Sequence, residues 1–216
     1  MISDAQLKES VLDELNWDTS LDAAHIGVTV KDGSVTLSGH VPSYPEKYSA
    51  IDAVKAVRGV KAIADEIEVH LPSEFRMDDS DIAERVAHVL SWSVAVPDDG
   101  VKAKVRNGFV TLDGEAKLDA QRRQIIQQIR HVRGVKGVSS LITLKPRASA
   151  PDVKKRIEDA LKRNASLDAS GIRVLIDGSK VTLEGDVKAY FERDVAERAA
   201  WTAPGVRQVV DHLHVE

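Results

Sequence analysis

The sequence predicts an α+β protein of three tandem αββαβ units, each a three-stranded mixed sheet covered on one face by two helices. Three observations predict it. Val35-Thr36-Leu37-Ser38-Gly39 recurs as Val110-Thr111-Leu112-Asp113-Gly114 and as Val181-Thr182-Leu183-Glu184-Gly185, at strides of 75 and 71 residues. Twenty residues after each closing glycine stands a Gly-Val pair, at Gly59-Val60, Gly134-Val135 and Gly205-Val206. Between these landmarks the apolar spacing switches between a helical period and a strand period. The expected domains are residues 1–72, 78–146 and 149–216, and the polar or Pro-bearing stretches Pro72 to Asp79 and Lys145 to Ala150 are the expected linkers.

Each element follows from local pattern. Leu7, Val11 and Leu15 recur as Ile82, Val86, Leu90 and as Val153, Ile157, Leu161. A spacing of four puts them on one face of a first helix. Ser3 with Gln6 forms a capping box, and Pro151 suits a first helical turn. Alternation then marks two strands, Ile26, Val28, Val30 and Val35, Leu37, Val41. Asp32-Gly33, Asn107-Gly108 and Asp177-Gly178 are the expected hairpin turns, with glycine supplying positive φ. A second helix carries Ala50, Val54, Val57 or Ile125, Ile129, Val132 on its inner face. Gly59, Gly134 and Gly205 are its expected C-terminal caps, while Gly39, Gly114 and Gly185 are structural glycines of the second strand. A last strand alternates Ile63, Ile67, Val69, matched by Val138, Ile142, Leu144 and Val209, Leu213, Val215. The crossover into it should be right-handed. The second sheet face reads polar, either wet or against a neighbour.

Composition narrows the function. The chain is 43% hydrophobic and 30% charged, an ordinary globular balance, and its lack of Cys excludes disulfides and thiolate chemistry. A net charge of -4 argues against generic nucleic-acid binding. The charge is uneven: residues 1–74 hold 6 basic and 13 acidic side chains, whereas residues 80–147 hold 12 basic and 7 acidic. An anionic surface would therefore meet the middle copy first. Met1-Ile2-Ser3-Asp4 lacks the basic and apolar stretches of a secretory signal, so the expected location is cytoplasmic, peripheral at the membrane, or periplasmic for a processed form.

The element order, with Val-Thr-Leu-x-Gly on strand two and Arg58-Gly59-Val60, Arg133-Gly134-Val135 and Pro204-Gly205-Val206 before strand three, resembles the BON domain. That family is named for bacterial OsmY and nodulation proteins. The resemblance implies a non-catalytic domain without cofactor, associated with phospholipid surfaces, envelope integrity and osmotic stress. Some relatives bind potassium, but no cation cage is visible in this sequence.

Candidate binding residues gather in the middle copy. Its second helix carries Arg122, Arg123, Arg130 and Arg133, with Lys136 beyond, and Arg123 and Arg130 are expected to share an outer stripe. Its first helix offers Arg85, His88 and Trp92 off the buried face. Trp suits a membrane–water interface because its ring is amphipathic. These residues are expected to meet an anionic phospholipid surface or a protein partner; the plain alternative is a solvated charged face. Trp92 and its counterpart Trp17 could instead close the end of the core. Trp201 replaces Lys55 and Arg130 of the other copies at an outward position, which makes it an interface candidate.

Other chemistries find little support. His212 and His214 alternate onto one strand face but have no third ligand near in sequence, so no metal site is expected. Gly134-Val135-Lys136-Gly137 matches a G-x-x-G loop, but it joins a helix to a strand rather than two helices, which removes the RNA-binding geometry. No serine–histidine–aspartate order or carboxylate pair recurs at the loops. The expected function is non-enzymatic binding. A protein–protein scaffold or stress-response accessory is the alternative, with oligomeric state left open.

Overall fold

Apolar side chains four residues apart, with polar residues at the two-residue spacing between them, share one face on a helix but would share a strand face with those polar residues, and the first helix of every repeat buries that stripe. In this computed structural model, which describes residues 2–93, 100–145, 152–165 and 167–215, the first repeat runs α1 (Asp4–Trp17), β1 (Ile26–Lys31), β2 (Ser34–Val41), α2 (Tyr44–Ala56) and β3 (Ala62–Val69). The second runs α3 (Asp79–Trp92), β4 (Val101–Arg106), β5 (Phe109–Ala116), α4 (Asp119–Arg130) and β6 (Gly137–Leu144). The third runs α5 (Val153–Arg163), β7 (Ile172–Asp177), β8 (Lys180–Val187), α6 (Tyr190–Thr202) and β9 (Gln208–Val215). Pro151 and residues 146–150 of the expected linker lie outside the described residues.

Each repeat forms its own three-stranded sheet with the motif strand in the middle. β5 pairs antiparallel with β4 and parallel with β6, and β8 does the same with β7 and β9. The motif explains itself in this setting. Its Val and Leu point to the helices and are fully buried, as Val35, Leu37, Val110, Leu112, Val181 and Leu183. Its Thr faces the other side of the sheet. Its Gly sits where the chain entering β1, β4 or β7 crosses: a Cβ on Gly39, Gly114 or Gly185 would collide with the carbonyl oxygen of His25, Gly100 or Gly171.

The Gly-Val glycines do not cap the second helix. That helix ends three or four residues earlier, at Ala56, Arg130 or Thr202. The glycine is instead the third residue of a separate β-turn, closed by Val60 N–H to Val57 O, Val135 N–H to Val132 O and Val206 N–H to Ala203 O. Its φ values of 96°, 92° and 91° are those a type II turn requires at that position.

The hairpins differ in a related way. In the first two repeats the turn residues are Asp32-Gly33 and Asn107-Gly108, all at positive φ, as a type I′ turn demands. In the third, Asp177 pairs with Lys180, so the turn is Gly178-Ser179 rather than Asp177-Gly178. At the repeat strides of 75 and 71 these are the same two positions, and with Ser at the second of them only Gly178 takes a positive φ, of 57°. The first two hairpins also share an anchoring carboxylate. Asp4 accepts hydrogen bonds from the N–H groups of Asp32 and Gly33 at 2.8 and 3.1 Å. Asp79 accepts from Asn107 and Gly108 at 2.7 and 2.8 Å. The residue at this place in the third sequence copy is Ala150, which has no side-chain acceptor. The first helix and the hairpin are thus tied through one aspartate in each of the first two repeats. The capping box is also present, with Gln6 N–H donating to Ser3 Oγ and Ser3 N–H to Gln6 Oε1.

The chain divides into two compact units. One gathers residues 1–39 and 48–67 of the first repeat with the third repeat; the other gathers 40–47 and 68–145. Inside the former, Lys55 of α2 reaches Asp194 of α6 at 2.9 Å and Asp52 at 3.6 Å, and its ammonium lies 5.9 Å from the Tyr190 ring centre. Arg193 stacks on the same ring at 5.1 Å and also binds Asp211 at 2.9 Å. Burial disfavours the charge on Lys55, but the hydrogen bond and charge of Asp194, helped by Asp52 and Tyr48, outweigh it and raise the lysine above its ordinary 10.5.

Two outcomes follow. Asp79→Ala removes two charge-assisted backbone bonds and should cost about 1–2 kcal/mol in chemical denaturation, while Asp113→Ala, at an exposed position of the same sheet, should change little. Because the folded pKa of Lys55 is raised, its contribution is complete below pH 10.5 and is lost as pH climbs through the folded value. Asp194→Asn should therefore lower stability by about 1 kcal/mol at neutral pH, with the difference from wild type shrinking in alkaline solution.

Candidate functional site

Two helices on the same sheet face leave a furrow between their outer sides. In the middle repeat the α3–α4 furrow is a groove of two adjoining depressions, about 740 and 670 Å³. They share His88, Val89, Gln128 and His131. One end is closed by Met77, Asp81, Glu84, Arg85 and Arg133. The other is rimmed by Trp92, Ser93, Gln124 and Gln127, with no carboxylate among its described lining residues. Trp92 is 77% exposed and its ring centre lies 5.7 Å from that of His88. Neither Trp92 nor Trp17, which is 82% exposed, closes the core. Both sit in the last turn of a helix whose buried stripe has ended at Leu90 or Leu15, so the ring points past the sheet.

The arginines divide into distinct groups. Arg122 and Arg123 both bind the carboxylate of Asp119, which is buried at the start of α4. Their i, i+3 and i, i+4 positions relative to Asp119 turn them back along the helix. They are half-buried, and so is Arg130, so the expected outward stripe of Arg123 and Arg130 is not an open row of charge. Arg133 is exposed and its guanidinium stacks 4.6 Å from the Phe75 ring centre. Lys136 is half-buried, with its stem against Gly108. Arg85 is exposed beside the groove. The groove therefore brings together Arg85, Trp92 and Arg133, and it excludes Arg122, Arg123 and Lys136 from its lining.

Trp201 is half-buried against the third repeat's core, and its indole N–H donates to Glu197 Oε1 at 3.1 Å. Its counterpart Lys55 occupies the equivalent helix position in the first repeat and contacts the third repeat. Among the described residues no cluster of histidines and carboxylates could hold a metal ion, and no helix is long and apolar enough to cross a membrane.

A second surface escaped the sequence reading. The open sheet face of the middle repeat is not uniformly polar. Phe109 and Leu141 are 57% and 59% exposed there. With Lys102, Lys104, Arg106, Thr111 and Asp113 they line a depression of about 670 Å³. Strand parity sets this: β4 turns Lys102, Lys104 and Arg106 outward while Val101 and Val105 face the helices. The Phe109 ring lies over Gly137, where a Cβ would meet it at 2.7 Å. The signal was available as a parity exception, since Phe109 and Leu141 stand where the first copy has Ser34 and Glu66.

A family model, the BON domain, matches residues 3–70, 78–146 and 149–216. The chain belongs to the BON family. Its three BON repeats account for nearly all of the sequence. No curated protein matches it. Two solved structures of CdsD, a structural protein of the type III secretion system of Chlamydia trachomatis, are similar at low level. One, its C-terminal domain, is 15% identical over 100% of both chains with a TM-score of 0.28; the other is 14% identical over 96% of this chain and 91% of that one, at 0.27.

Asp119 makes a stability prediction for the middle BON repeat. Asp119→Ala frees two arginines and should destabilise the repeat by about 1–3 kcal/mol in chemical denaturation. A shift within a few tenths of a kcal/mol would show that the two ion pairs contribute nothing net.

Proposed function

We propose that this chain is a non-enzymatic binding protein whose middle BON repeat associates peripherally with anionic phospholipid, in envelope or osmotic-stress maintenance. The observation that carries the reading is Trp92, 77% exposed at the end of the α3–α4 groove that has no carboxylate among its described lining residues. An indole ring in this position can enter the headgroup region, with the groove glutamines and histidines as hydrogen-bonding partners for headgroup oxygens. The basic excess of residues 80–147 supports the same reading, because each cation near an anionic bilayer contributes about 1 kcal/mol. Such binding is weak, reversible and salt-sensitive.

Co-sedimentation with vesicles of phosphatidylglycerol and phosphatidylethanolamine, against neutral phosphatidylcholine vesicles, tests it. Wild type should bind the anionic vesicles at low salt and release at high salt. Trp92→Ser and Arg85→Glu should each weaken binding about tenfold, while Trp17→Ser, in the acidic first repeat, should leave most of it. Equal loss in the Trp17 and Trp92 variants, or no preference for anionic vesicles, would contradict the assignment. Arg122→Glu is a poor probe, since it also breaks the ion pair with Asp119.

A further inference from the structure

The helices and the open sheet face lie on opposite sides of the middle repeat, so a membrane seated on the α3–α4 groove leaves the sheet face available. That face combines a row of three cations, Lys102, Lys104 and Arg106, with two exposed apolar side chains, Phe109 and Leu141. The cations stand on an edge strand, and none has an ion-pair partner among the described residues. The face calls for an acidic partner with a floor of small residues.

The chain itself carries one. The outer row of β3 in the first repeat is Ala62, Ala64, Glu66 and Glu68, all exposed. Glu68 is shared with His70 at 2.8 Å. The wider first repeat adds to the match: residues 1–74 hold 13 acidic and 6 basic side chains. The outer rows of the first repeat also present the small side chains Thr29, Thr36, Ala62 and Ala64, on which Phe109 and Leu141 of the partner copy can rest. Sheet faces that stack pack about 10 Å apart, close enough for a phenyl ring to rest on alanine and threonine.

We propose that the open sheet face of the middle repeat binds the outer β3 row of the first repeat of a second copy of this chain. The contact uses different patches on the two molecules, so it is heterologous and builds head-to-tail assemblies rather than closed dimers. It is independent of the phospholipid reading, which uses the other side of the repeat.

Sedimentation velocity of the full chain over a range of concentrations, at low and high salt, tests it. Wild type should associate at low salt and dissociate at high salt. The triple variant Lys102→Glu, Lys104→Glu, Arg106→Glu should lose association at least about tenfold, and so should Glu66→Lys with Glu68→Lys. Circular dichroism checks that both remain folded. Mixing these two variants restores opposite charge across both contacts, so the mixture should associate where neither does alone. A wild type that stays monomeric at low salt would overturn the proposal and leave the cations as a guard on an edge strand. Association that survives in either variant, or a mixture of folded variants that stays monomeric, would overturn it as well.

Discussion

In the central strand of each repeat, a backbone carbonyl occupies the space that a Cβ would need. Gly39, Gly114 and Gly185 meet the carbonyls of His25, Gly100 and Gly171 there, at φ values of 105°, 139° and 123°. In the middle repeat the same Gly100 carbonyl accepts the N–H of Glu115 at 2.8 Å, so the crossing is hydrogen-bonded as well as tight. This close approach fixes where the incoming chain turns into the edge strand. It thereby fixes the register that places Val and Leu of the motif under the helices. Both faces of the middle repeat inherit their geometry from it: the helices cover the side holding Leu112, and the row of Lys102, Lys104 and Arg106 is left on the other.

Much of this was legible because it repeats. The buried stripes Leu7/Val11/Leu15, Ile82/Val86/Leu90 and Val153/Ile157/Leu161 are those that a spacing of four marks. The strand alternations hold as well, down to the fully buried Val35 and Leu37. Less legible were features set by a partner distant in sequence. The carboxylate that anchors the first two hairpins lies on a helix 28 residues upstream, whereas the third turn, Gly178-Ser179, stands where the repeat stride aligns it with Asp32-Gly33. The glycine before Val60 was visible, but its role in a separate turn depends on where α2 stops, which spacing alone does not fix.

The candidate site was half legible. Charge counting located the middle repeat, and the helical spacing placed Arg85 and Trp92 off the buried face. Spacing puts Arg123 and Arg130 on one outer stripe of α4, but nothing in the pattern marks Asp119 as buried. Its burial turns Arg122 and Arg123 into its own counter-ions. Similarly, Trp17 and Trp92 look like core residues by type, yet both lie past the last buried leucine of their helices. Phe109 and Leu141 went unnoticed because the outer sheet face is polar on average, and two exceptions in one repeat do not change an average. Each surface thus depends on which side chains remain uncommitted after the fold has paired the others.

On the proposed reading, the middle repeat presents the membrane-facing surface, through the end of the α3–α4 groove. Amide and indole NMR of the isotope-labelled full chain, titrated with anionic-lipid nanodiscs, tests it most directly. The Trp92 indole and the amides of Arg85, His88, Gln124 and His131 should shift or broaden first, while the first and third repeats stay unchanged. Largest perturbations in α1 or α6, or none anywhere at saturating lipid, would contradict it.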